Sequence, residues 1–338
     1  MFLKKLGEEE IIRSLAERFS RKHPRLIKGI GDDTSVTFQR GDKVQLATTD
    51  ILIEDTHFRL SYTPPYFLGR KSLNISVSDI AAMGGAALFF LVSIALPENT
   101  TKGFLDELYR GIDDAARECG AILAGGNTAR TEGKMMVSTT VLGEAQKDKV
   151  VYRSGARPGD IIYVTGTLGD SALGLKALKS HGKDAIKKGP FKNAVLRHLD
   201  PAPRVEAGDQ LAKKKLASAM MDISDGLALD LKRLCLESKA AAIIELYKLP
   251  TSADFRKFSG ISKNALLNLA LSGGEDYELL FTSPEENSKK IASLSKKLKL
   301  PITPIGRITP LKDKNKVITV IDEHGLPIKV EKLGFEHF

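Results

Sequence analysis

The chain has 338 residues, room for two domains of ordinary size, and its 42% hydrophobic and 28% charged residues exclude a disordered or fibrous chain. Its longest largely apolar stretch, Ala86 to Leu96, is well short of the roughly 20 residues that cross a bilayer. The formal net charge of +9 could point to nucleic acid, but the lysines of 213–215 and 289–299 fall at helical spacing with few aromatics between them, so they read as solvated helix faces.

Met1 to Gly7 is short and runs into Glu8-Glu9-Glu10, which does not read as an export signal. Residues 8–20 then place Ile11, Ile12, Leu15 and Phe19 on one helical face. The acidic turn Gly29-Ile30-Gly31-Asp32-Asp33 precedes a strand pattern from Val44 to Thr49 that ends at Asp50. Pro64-Pro65 opens a helix from Tyr66 to Met83, closed by Gly84-Gly85. A strand over 88–96, a helix over 101–118 and strands over 121–124 and 135–143 follow, the last two flanking Gly125-Gly126-Asn127-Thr128.

The polar stretch Arg153 to Asp160 is the best boundary, giving domains 1–150 and 151–338. Beyond it the pattern gives strand 161–165, a Gly-Thr-Leu-Gly-Asp turn, a helix from Ser171, helix 203–215, the segment Met220 to Gly226, helix 227–238, strand 241–246, helix 263–270 and strand 277–282. This is an α/β (α+β) architecture in two halves. Cys119 and Cys235 are far apart and outside any metal-ligand spacing, so both read as buried small hydrophobes of a reducing, cytoplasmic compartment.

The placement of aspartates carries the chemistry. Asp32, Asp33, Asp50, Asp79, Asp222 and Asp225 each sit beside glycine or small hydroxyl residues, at turns, strand ends or a helix. Carboxylates aimed at one place repel unless a cation lies among them, and oxygen ligands without His or Cys select Mg²⁺ or Ca²⁺. The turns at 125–128, 166–170 and 272–276 are glycine-rich and could cradle phosphate, yet no Walker motif and no Gly-x-Gly-x-x-Gly occurs. Arg130 and Arg153 are candidate phosphate partners, and His57 follows Asp50 closely.

In order, Gly-Ile-Gly-Asp-Asp, Thr-Thr-Asp, Ser-Asp-Ile-Ala-Ala-Met-Gly, Gly-Gly-Asn-Thr, Asp-Ile-Ser-Asp-Gly, Ser-Gly-Gly-Glu-Asp-Tyr-Glu-Leu and the closing Gly334-Phe335-Glu336-His337-Phe338 resemble the thiamine-monophosphate kinases. That family belongs to the superfamily of aminoimidazole-ribotide synthetase and selenophosphate synthetase, and the match covers nearly the whole chain. The resemblance implies a homodimer, with the N-terminal domain building a barrel across two subunits, and transfer of the ATP γ-phosphate to thiamine monophosphate with several Mg²⁺ ions. By the same resemblance Asp33, Thr48, Thr49, Asp50, Asp79, Asn127, Asp222 and Asp225 are expected as metal ligands. Asp50, Asp79 and Asp222 are the residues expected to carry catalysis. Gly126, Asn127, Arg153 and Ser224 are expected at the nucleotide, and His57, Glu275 and Phe335 at the substrate; no nucleic-acid or membrane partner is implied.

The chain departs from the family pattern at three places. Asn127 replaces an acidic metal ligand, Ser76 an asparagine and Ala87 a proline. The asparagine oxygen lacks the negative charge, so weaker binding of one magnesium is expected. Selenophosphate synthetase calls for an N-terminal cysteine and the hydrogenase-maturation relative for a C-terminal one; neither is here, which leaves aminoimidazole-ribotide synthetase-like chemistry or a binding-only descendant as the rivals.

Overall fold

The computed structural model describes residues 7–39, 41–187, 191–257, 263–313 and 316–337, with backbone only for 263–266. Met1 to Leu6 and the closing Phe338 of the C-terminal motif lie outside the described residues.

The first half runs α1 (Glu8–Phe19), β1 (Leu26–Lys28), β2 (Ser35–Phe38), β3 (Lys43–Ile53), α2 (Pro65–Ala82), β4 (Ala86–Pro97), α3 (Lys102–Cys119), β5 (Ile122–Thr131) and β6 (Met136–Gln146). Its six strands lie in the order β1-β2-β3-β6-β4-β5, antiparallel except for the β4/β5 pair. Alternation decides which face is buried. Val44, Leu46 and Leu52 of β3 and Val137, Val141 and Ala145 of β6 turn inward onto α2 and α3. Ile51, Phe89 and Leu91 turn outward and stay exposed.

Pro65 sits in the first turn of α2, where its missing N–H leaves no gap. Thr101 caps α3 by accepting the Phe104 N–H at 3.2 Å, and Gly120 ends it in the left-handed conformation. The two helices cross at Gly69 and Gly111. A Cβ at either would lie 1.9 Å from a backbone oxygen of the other helix, Leu108 O or Tyr66 O, so only glycine permits this approach.

The second half runs β7 (Ile161–Thr165), α4 (Asp170–His181), α5 (Asp184–Lys187), α6 (Lys192–Leu199), α7 (Val205–Lys213), β8 (Ala219–Asp222), α8 (Leu227–Glu237), β9 (Ala240–Glu245), α9 (Ala253–Lys257), α10 (Lys263–Ser272), β10 (Leu279–Ser283), α11 (Ser288–Leu298), β11 (Ile302–Pro310), β12 (Ile318–Ile321) and β13 (Pro327–Ile328). The seven strands lie in the order β13-β12-β9-β11-β7-β10-β8, antiparallel except for β9/β12. Each half thus has its own mixed sheet with helices, as the α/β (α+β) pattern predicts. On α11, Ile291 and Leu294 are buried while Lys289, Lys290, Lys296 and Lys297 face solvent.

α2 joins the halves. It is buried along most of its length and packs on β3, β6 and α3 of the first half and on α7 and β8 of the second. Tyr277 of the second half reaches into the first core.

Three expectations change. Asp50 does not end its strand, because β3 continues to Ile53 and Asp50 pairs with Thr139 in mid-ladder. Gly125 to Thr128 form no turn; they are part of β5, drawn out by parallel pairing with Leu91 to Ile94 of β4. Cys235 is buried, but Cys119, at the end of α3, is only half-buried. Among the described residues no helix is long and apolar enough to cross a membrane.

Candidate functional site

Three separate elements bring carboxylates together. Asp33 leaves the turn before β2, Asp79 lies in the last turn of α2 and Asp222 ends β8, and an oxygen from each falls within 4.8 Å of the others. All three carboxyls are held above the usual range. For Asp79 the cause is burial first, then the charges of Asp50, Asp222 and Asp33; for Asp222 it is burial first, then Asp33. Asp33 Oδ2 is buried with no hydrogen-bond partner. A group of oxygens that repel one another, one of them orphaned, fits a hard divalent cation such as Mg²⁺.

Hydroxyls on β3 and α2 hold the set in place. Thr48 donates to Asp79 at 2.5 Å, Ser76 to Asp50 at 2.7 Å and Ser78 to Asp222 at 2.6 Å. Strand alternation turns the Thr49 hydroxyl the other way, to meet Thr140 at 3.0 Å. Burial raises the Asp50 carboxyl, and the Ser76 bond opposes that. Arg153 supplies the positive charge: its Nη2 and Nε reach Asp33 Oδ1 at 2.6 and 3.1 Å, and its N–H donates to Asp32 Oδ1 at 3.2 Å. Arg130, the other candidate arginine, is exposed on β5 and approaches Glu98.

The turn after β8 is built by a residue that sequence reasoning missed. Asp230, one turn into α8, accepts the N–H groups of Ser224, Asp225 and Gly226 at 3.1, 3.0 and 3.0 Å. Gly226 has φ 125°, open to glycine and strained for other residues. The bend aims Ser224 and Asp225 at the cleft, and Arg233 pairs with both Asp225 and Asp230. The 166–170 turn is not free for a phosphate. The N–H groups of Gly169 and Ser171 donate to the Asp276 carboxylate at 2.7 and 3.3 Å, and those of Gly166 and Leu168 to Pro301 O and Pro250 O.

Beside the acidic group lies a cleft of about 840 Å³ lined by Thr49, Asp50, His57, Ser224, Asp225, Glu275 and Phe335. His57 Nδ1 accepts the Ile53 N–H at 3.0 Å, and its Nε2 lies 3.4 Å from that of His337. Burial, then the neighbouring His337, lowers the His57 pKa. Glu275 has φ 66° and is gripped by Lys71 and His198, two further residues the sequence pattern did not single out. Gly126 and Asn127 are not brought to this cleft. They lie on β5, three strands from β3 in the sheet order, about 14 Å away at about 4.8 Å per strand.

Residues 31–145 match the family model described as AIR synthase related protein, N-terminal domain, and residues 157–321 match its C-terminal domain. The thiamine-monophosphate kinase of Bacillus subtilis is 35% identical over 333 residues, 98% of this chain and all of the relative. That of Aquifex aeolicus is 34% identical over the full length of both. The structure of AaThiL complexed with AMPPCP and TMP superposes with a TM-score of 0.86 at 34% identity, over all of this chain and 99% of that one. The hydrogenase maturation protein HypE in complex with ATP, at 19% identity and a TM-score of 0.69, shares the fold. By its two matched domains and its full-length relatives, the chain belongs to the thiamine-monophosphate kinase family.

Proposed function

We propose that this chain transfers the γ-phosphoryl group of ATP to the phosphate of thiamine monophosphate, giving thiamine diphosphate and ADP. The observation that carries the reading is the junction of a buried acidic group (Asp33, Asp79, Asp222) with a cleft lined by Asp50, His57, Ser224, Glu275 and Phe335. A phosphate acceptor is already ionised near neutral pH, so the reaction needs alignment and charge neutralisation rather than a general base.

In this reading Asp33, Asp50, Asp79 and Asp222, with Thr48, Asp225 and the backbone of Thr49, hold magnesium. Bound there, Mg²⁺ would offset the charge of the donor and acceptor phosphates. Arg153 and Ser224 contact the nucleotide, and His57, Glu275 and Phe335 contact the thiamine moiety. Residues 1–150 form the metal-binding and dimerisation domain and residues 151–338 the domain that covers the nucleotide.

The protein acts as a cytoplasmic homodimer. The exposed Ile51, Phe89 and Leu91 on the outer face of the first sheet, and the open edge of β5, support a barrel closed by a second copy. Gly126 and Asn127 lie on that edge. Too far from β3 of their own chain, they take their nucleotide and metal roles in the assembled dimer.

An endpoint assay with ATP, magnesium and thiamine monophosphate, resolving thiamine diphosphate and ADP by chromatography, tests the reading. Both products in equal amount are expected. ATP bound without turnover would favour a binding-only protein, and turnover of a different acceptor would favour another chemistry of the superfamily.

A further inference from the structure

Glu275 is fixed from several sides. Its backbone is left-handed at φ 66°, costly for a residue with a side chain, and its N–H donates to Ser224 O at 2.7 Å. Its Oε1 lies 2.6 Å from Lys71 Nζ on α2, and its Oε2 lies 3.2 Å from His198 Nδ1 on α6. Lys71 and His198 are each 2% exposed, and among the described residues Glu275 is the one carboxylate in ion-pair range of Lys71.

The same His198 Nδ1 lies 3.1 Å from the Ser171 hydroxyl, within hydrogen-bond distance. Burial, then the charge of Lys71, pushes the His198 pKa down to about 3, so the ring is neutral and the trio carries no net charge. A buried ion pair is a poor device for stability, since apolar residues of the same volume often serve as well. This one stands directly behind the cleft wall, with Glu275 facing the cavity.

We propose that Lys71 is a positioning residue for substrate recognition. From behind the cleft it holds the Glu275 carboxylate, with His198 on the second oxygen, so that its remaining lone pairs face a heteroaromatic ligand bearing an N–H donor. Recognition at Glu275 is then by directed hydrogen bonding, because Lys71 already neutralises its charge. The inference rests on the reading of Glu275 as a substrate contact.

The test is steady-state kinetics of the full-length protein with ATP, magnesium and thiamine monophosphate, for Glu275→Gln, Lys71→Met, the double variant and Lys71→Arg. Glu275→Gln and Lys71→Met should each raise KM for thiamine monophosphate at least about tenfold, with kcat and KM for ATP within about threefold of wild type. The double variant should be no worse than the worse single one, because the two act as a unit. Lys71→Arg should recover most of the loss.

If Glu275→Gln raises KM while Lys71→Met leaves it within twofold, or if the two losses multiply, the inference is overturned and the substrate reading stands. If Glu275→Gln leaves KM unchanged, the substrate reading of Glu275 and the inference fall together. Should Lys71→Met not fold, His198→Gln decides: a KM for thiamine monophosphate raised about fivefold with kcat kept supports the proposal, and an unchanged KM overturns it.

Discussion

The Ser78 hydroxyl donates to Asp222 Oδ2 at 2.6 Å, a bond that passes from α2 of the first half to β8 of the second. Asp79, the next residue, belongs to the acidic group that Asp222 completes. One turn of helix therefore both supplies a carboxylate and orients another across the two halves. Ser78→Ala would leave a buried Asp222 oxygen without a donor, a loss of about 1–3 kcal/mol. Turnover should fall about tenfold for each 1.4 kcal/mol that reaches the transition state, and the unfolding temperature should drop. Thermal unfolding and kcat of the one variant check both.

Asp79→Asn should separate function from stability. Removing one of several mutually repelling buried charges relieves strain in the metal-free fold, so the variant should unfold at a higher temperature than wild type without metal. Its activity should fall by orders of magnitude, and magnesium should no longer raise its unfolding temperature. A metal-free variant less stable than wild type contradicts the account of the cluster.

The pH dependence follows from the same repulsion. A carboxyl whose folded pKa lies above its unfolded value keeps its proton in the folded state after the unfolded chain has lost it, so stability falls as pH rises through that window. Asp32 is pushed from its ordinary 3.8 up to about 6 by burial and then by Asp33, and Asp79 and Asp222 are raised further. His198, pushed down to about 3, works the other way, losing stability as pH falls below its unfolded value. Comparing protein with and without magnesium at each pH cancels that contribution. The rise in unfolding temperature on adding magnesium should grow from pH 6 to pH 8, and a rise that shrinks would sink the account.

Much of this was legible in the sequence because it depends on local pattern. The helices at 8–20 and 101–118 carry periodic apolar faces, Pro64-Pro65 and Gly84-Gly85 bracket the one at 66–83, and the aspartates stand beside glycine and hydroxyl residues. What the sequence hid depends on strand pairing and long-range contact. Gly125-Gly126-Asn127-Thr128 reads as a turn by composition, but parallel pairing with β4 extends it. The glycine-rich 166–170 segment reads as a phosphate cradle until Asp276, more than a hundred residues later, fills it. Lys71 looks like one more surface lysine; only burial against Glu275 reveals it.

Asn127→Asp restores a charge that the family pattern places at this position. It should lower the magnesium concentration needed for half-maximal rate, by several-fold if the residue ligates the metal. An unchanged magnesium dependence would mean that Asn127 takes no part in metal binding.

The central claim is direct transfer of the terminal phosphoryl group from ATP to thiamine monophosphate. A single-turnover reaction with ATP labelled on the γ-phosphate, quenched and separated, tests it most directly. The label should appear in thiamine diphosphate, matched one to one by ADP, and not in free phosphate. Label released as inorganic phosphate, with thiamine monophosphate untouched, would contradict the account.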